Sequence, residues 1–159
     1  MIRTNGLMNN YINKATEFEE DMKNLLVSIK LPTNLIEVDD CVLLIVNDII
    51  PKSLDLNFIN KVFGDKTGYE AYNNHLHISS VVECEILNPY HELLIGIDVI
   101  ELWEQILIES FPSEKFILIL SFDGVGAVAR FHKYRVEEAN WVDPDDIEMF
   151  KEGILYKSV

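Results

Sequence analysis

The residues best equipped for chemistry are few and lie far apart in the chain. His75-Leu-His77 places two imidazoles on one side of an extended segment, α-carbons roughly 7 Å apart, close enough to serve one metal ion if Glu83 or His91 added a third ligand. The same HxH pattern describes the solvated face of an amphipathic strand, and that is the reading carried forward. Cys41 and Cys84 each sit inside an apolar run. A nucleophilic thiol needs an electropositive, accessible setting, so both are expected to pack as small hydrophobes. No GxSxG, Walker A, GxGxxG, HExxH or EF-hand pattern occurs, and Asp123-Gly-Val-Gly126 lacks the third glycine and downstream acid of a dinucleotide loop. His132, beside Arg130 on a strand face, reads as a packing or hydrogen-bonding residue. The expectation is a protein that is not an enzyme, with no catalytic residue, no cofactor and no resident metal.

Charge is the more informative polar feature. The 159 residues carry 27 acids against 13 bases, a formal net charge of -14. Such a field repels phosphate backbones and anionic lipid and attracts basic partners, so neither nucleic acid nor membrane is an expected partner. The acids concentrate late: up to Ile78 there are 11 acids and 7 bases, and from Ser79 onward 16 and 6. Glu137 to Glu152 alone holds seven acids and one base, Lys151. A solvated acidic face is the plain reading. The functional reading is a docking surface for a basic protein, built from Glu101, Glu104, Glu109, Glu137, Glu138, Asp143, Asp145, Asp146 and Glu148. Arg130, Lys133 and Arg135, interleaved with Phe131 and Tyr134, imitate a single-strand-binding platform. Inside so negative a field they are expected instead to pair with Glu137, Glu138 or the acidic C-terminal segment.

The elements that must position these groups centre on Phe116 to Arg135. Phe116 to Phe122 is almost entirely apolar, Asp123-Gly124 opens a turn, and the chain then alternates from Ala127 onward, which predicts a β-hairpin with a tight or bulged loop. The first strand should be central and covered on both faces, the second half exposed. Upstream, residues 1 to 14 are polar and expected to be a flexible terminus. Thr16 with Glu19 predicts a capped helix to about Lys30. Cys41 to Val46 could be a buried strand or helix and is read as strand; Leu54 to Phe63 reads as a short helix closed by Gly64. Asp65 to Gly68 is expected to be a loop, Tyr69 to Asn74 is ambiguous, and Leu76 to Ile86 alternates as a long half-buried strand ended by Asn88-Pro89. Leu93 to Ile97 is expected to pair back on it, with Asp98 capping a helix to Ser110. Asp143 before Pro144 predicts another helix to Glu152, and Ile154 to Lys157 a last strand. From residue 15 onward the whole reads as one α+β domain, a mainly antiparallel sheet around the hairpin with three or four packed helices.

From about Asp98 to Tyr156, the order Leu102-Trp103-Glu104, Phe111-Pro112, the strand Phe116 to Phe122, Asp123-Gly124, Arg130-Phe131-His132-Lys133, Trp141 and Asp145-Asp146-Ile-Glu148 resembles small bacterial immunity proteins. These are the partners of contact-dependent growth inhibition toxins and other polymorphic toxins, organised as toxin-antitoxin pairs. The resemblance transfers no catalytic residue. It implies a small cytoplasmic protein that binds one cognate toxin C-terminal domain, commonly a basic nuclease, and blocks it by charge and bulk; a monomer or weak dimer is expected. The alternatives are a metal-dependent enzyme or small-ligand protein using His75 and His77, or an acidic adaptor or DNA-mimic protein.

Overall fold

A computed structural model describes residues 1–20, 31–45, 50–82 and 88–159. The chain forms one α+β domain. Its main sheet has five antiparallel strands in the order β1 (Ile2–Thr4), β7 (Gly153–Ser158), β5 (Phe116–Phe122), β6 (Ala127–Lys133), β4 (His75–His77). A separate antiparallel pair is made by β2 (Leu35–Val38) and β3 (Cys41–Leu44). Among the described residues there are four α-helices: α1 (Gly6–Ala15), α2 (Leu56–Phe63), α3 (Lys66–Asn73) and α4 (Pro89–Ser110).

The expected hairpin is the middle of the sheet. Phe122 pairs with Ala127, so the loop is the four residues 123–126. Gly124 takes φ +94°, which a side chain rarely tolerates, while the Asp123 carboxylate accepts from the amides of Val125 and Gly126 at 2.8 and 2.9 Å. These backbone donors hold that carboxyl below its usual range. β5 is buried on both faces, as its unbroken apolar run requires. β6 is more enclosed than its alternation suggested, because β4 pairs along its far edge and residues 134–152 lie over the outer face; only Val128 and Arg130 remain partly exposed.

The inner face carries the main core. α4 packs Trp103, Leu107 and Val99 against Phe116, Leu118, Leu120 and Phe131, with the Trp103 and Phe131 rings edge to face at 5.3 Å. On the outer face Ile117, Ile119, Ile154 and Tyr156 meet Val142, Ile147 and Phe150 in a second, smaller core.

Several expectations are corrected. Residues 1 to 14 do not fray: they make β1 and α1, and Met8 is fully buried. Asn5 caps α1 by accepting from Met8 N at 2.9 Å, and its amide donates to the carbonyls of Ile147 and Glu152. Thr16 caps no helix: it follows α1 directly and opens a 3-10 turn, Thr16–Phe18, its hydroxyl donating to Asn13 O at 2.8 Å; Glu19 and Glu20 are helical, and the rest of the helix expected to Lys30 lies outside the described residues. Asp65 to Gly68 is not a loop. Asp65 is the N-cap of α3, its side chain accepting from Gly68 N at 2.7 Å, and Gly68 is required because a Cβ there would stand 2.4 Å from Phe63 O. The long strand from Leu76 ends at His77 in a 3-10 turn, and residues 83–87 are outside the described set.

Leu93 to Ile97 is helical. Asn88 and Pro89, read as a strand stop, are the N-cap and first-turn proline of α4. Asp98 therefore caps nothing; it stands on the exposed side of α4, where partial desolvation and Glu101 push its carboxyl up. The C-terminal helix expected from Pro144 is only a 3-10 turn at Ile147–Met149. Asp143 accepts from Asp145 N at 2.9 Å, and the chain must then extend to bury Ile147 and Val142 on the sheet.

Candidate partner-binding surface

The basic residues of the hairpin show where the acids go. Glu70, on α3 and wholly inaccessible to solvent, accepts from the backbone amides of Val42 (2.7 Å) and Lys133 (2.8 Å) and from both terminal nitrogens of Arg135 (2.8 and 3.1 Å). One turn later Asn74 repeats the device: its Oδ1 accepts from Leu44 N at 2.8 Å, and its Nδ2 donates to Val42 O and Phe131 O. The i, i+4 spacing puts both side chains on one face of the helix. There they replace the missing strand between β3 and β6, satisfying edge groups that burial would otherwise leave unpaired.

Around this seam Lys133 pairs with Asp40 (2.5 Å) and Glu114 (3.0 Å), and Lys66 pairs with Asp40 (3.2 Å). Burial alone would lower the Lys133 ammonium; Asp40 and Glu114 more than reverse that and hold it raised. Burial likewise raises the Asp40 carboxyl, and the two lysines bring it below its ordinary value. The expected pairing with residues after Val136 holds only weakly and only for Arg135, which Glu138 meets at 3.9 Å; its closer partner is Glu70 at 2.8 Å, and Lys133 turns instead to Asp40 and Glu114. Cys41 lies in the same seam, its thiol pushed up to about 12 by burial and by Glu70. It has the character of a packed residue rather than a nucleophile.

The histidines do not converge. β4 turns Leu76 into the inner core, so His75 and His77 face outward, their rings 5.3 Å apart. His75 Nδ1 bonds Tyr72 O. His91 sits on the opposite side of the sheet, buried on α4 and edge-on to Phe18, and Glu83 and Cys84 lie outside the described residues. Among the described residues no three His, Cys, Asp or Glu side chains are grouped to hold a metal. A cleft of about 470 Å³ between β2 and the end of α4 is walled by Leu35, Ile36, Ile45 and Ile106, with no ionisable side chain in its lining among the described residues.

His132 is fully buried on the outer face. Its Nδ1 lies 3.1 Å from Lys133 O, and Trp141 N approaches its Nε2 at 3.4 Å. A neutral ring protonated at Nδ1 suits both neighbours, and burial holds the imidazole down to about 4. Trp141 in turn lies over Arg130, whose Cζ is 5.3 Å from the ring centroid. Among the described residues no carboxylate lies within 4.0 Å of that guanidinium. Missing from the sequence reading were Glu70 and Asn74, whose only advance signal was their i, i+4 spacing.

The nine acids chosen from sequence fall into two groups. Glu104 pairs with Lys157, Glu138 accepts from Thr67 N at 2.8 Å, Asp143 closes its own turn, Asp145 pairs with Arg3 at 2.6 Å, and Glu148 accepts from Gly6 N at the start of α1. Glu101, Glu109, Glu137 and Asp146 are exposed, with no side-chain hydrogen bond or ion pair among the described residues.

A family model described as the Uncharacterized protein PM0498 family matches residues 3–159, and the chain belongs to that family. A curated relative, described as Uncharacterized protein PM0498 from Pasteurella multocida (strain Pm70), is 31% identical over 150 residues, covering 89% of this chain and 88% of its own. No solved structure matches.

Proposed function

We propose that this chain is a non-enzymatic, cytoplasmic immunity protein that binds a cognate basic toxin domain, such as a nuclease, and neutralises it through charge and steric occlusion. The observation that carries the reading is the distribution of the acids. Among the described residues the one acid with no solvent exposure, Glu70, is matched to Arg135 within the fold, while most of the other described acids, in a chain of net charge -14, are displayed at the surface. A displayed acidic field accelerates encounter with a basic protein and can cover the groups with which that protein holds phosphate. The resemblance of the segment from Asp98 to Tyr156 to immunity proteins points the same way.

The test is to mix the purified chain with the toxin domain encoded by the reading frame upstream of its own. A stable complex that weakens as salt is raised, with loss of the toxin's activity, is expected. Absence of a complex at low salt overturns the reading.

A further inference from the structure

Resting on that reading, we infer that residues 134–152 are the docking face and that Trp141 is its anchor. This segment combines what a recognition surface for a basic protein needs. Val142 and Ile147 turn inward, but four of its large hydrophobics stand outside: Val136 is 84% exposed, Met149 81%, Trp141 47% and Tyr134 40%. Burying them would be favourable, yet the fold leaves them in water. Between them stand exposed acids: Glu137 and Asp146 face outward without a partner among the described residues, and Asp143, Asp145 and Glu148, though each makes one contact within the fold, remain open to water. Apolar anchors within a charged surround are the arrangement in which a few buried aromatics hold a complex and the rim sets its partner.

Trp141 is the side chain best prepared for that role. The Arg130 guanidinium beneath its ring and the His132 contact at its amide fix it before any partner arrives, so less conformational freedom is lost on binding. Beside it a notch of about 50 Å³ is lined by Trp141, Phe150, Arg130 and Glu152, room for the tip of one side chain from the other protein. The outside of this segment is acidic, and the occupant is accordingly a basic protein domain that presents an apolar site for the indole. A second exposed apolar group among the described residues, Phe58, Val62 and Tyr72 on α2 and α3, lacks this complementarity. Its charged neighbours Asp55, Lys61, Asp65 and Lys66 balance one another.

The experiment measures association of the intact chain with a catalytically inactivated form of the adjacent toxin domain, for the native sequence and for Trp141→Ala and Met149→Ser. Trp141→Ala should keep its melting temperature within a few degrees and lose affinity on the order of 30-fold, chiefly through faster dissociation. Met149→Ser alters a side chain that is four-fifths exposed and cannot fail by unfolding; it should weaken the complex several-fold. Native chain that binds while both variants bind as tightly overturns the docking face and leaves the immunity reading standing. Native chain that does not bind overturns both.

Discussion

The seam closed by Glu70 and the segment running from Tyr134 to Glu152 both owe their character to carboxylates, and they use them in opposite ways. In the seam one carboxylate with no exposure answers two backbone amides and a guanidinium across three elements. Over the outer face, acids open to water hold the N-terminal segment with single contacts, as where Arg3 meets an Asp145 side chain that is 81% exposed. Geometry is comparable, since both pairs lie below 3 Å. Solvent makes the difference. An exposed pair is screened and contributes roughly 0 to 1 kcal/mol. Removing one member of a buried pair strands the other without water and costs about 3 to 5 kcal/mol. A net charge read from sequence cannot separate these roles.

The contrast is broken most severely at Glu70. Glu70→Ala should lose on the order of 3 to 5 kcal/mol in urea unfolding, because Arg135 and the Val42 and Lys133 amides are left unmatched together. A loss under about 1 kcal/mol would show that the seam does not hold β3 to β6. The next effect is expected at His132, where burial holds the folded imidazole down to about 4 against its ordinary 6.5. A depressed histidine means that the unfolded chain binds the extra proton first. Stability is therefore complete above about pH 6.5 and falls as pH drops toward 4, by on the order of 3 kcal/mol. An NMR titration of this ring with a midpoint near 6.5 would contradict that. The smallest effect belongs to the exposed acids: Asp146→Asn should change stability by no more than about 0.5 kcal/mol, in the same urea measurement, while Asp145→Asn should lose at most about 1 kcal/mol with its Arg3 pair.

What could be read from the sequence follows the same division between local and distant causes. The hairpin from Phe116 to Lys133 announces itself through a β-branched run and Asp-Gly, and β7 and α2 through pattern and stop residues, because their determinants are neighbours in the chain. Asn5 before an amphipathic stretch was a legible cap, masked by the polar composition around it. The start of α3 is hidden because Asp65-Lys-Thr-Gly68 has the composition of a loop; its glycine answers to Phe63 O in a preceding helix, not to a turn. Within α4, Asp98 and Glu101 imitate a cap in mid-helix, and Leu93 to Ile97 looks like a strand because a helix buried on many sides loses its amphipathic period. Glu70 was beyond any local rule: the amides it serves are 28 and 63 residues away. Among the candidate acids, sequence identified which are negative. Only the structure separates those that hold the N-terminal segment from those that face outward.

The side chains standing in for a strand also determine how this molecule opens. The amides of Val42, Leu44 and Lys133 are bonded to Glu70 and Asn74 rather than to a neighbouring strand. Their exchange with deuterated solvent should therefore follow the opening of α3, an eight-residue helix, and not the separation of the sheets themselves. A helix this short is a latch: when it unwinds, β2 and β3 lose their hold on the hairpin, while the five-stranded sheet keeps its own backbone ladder.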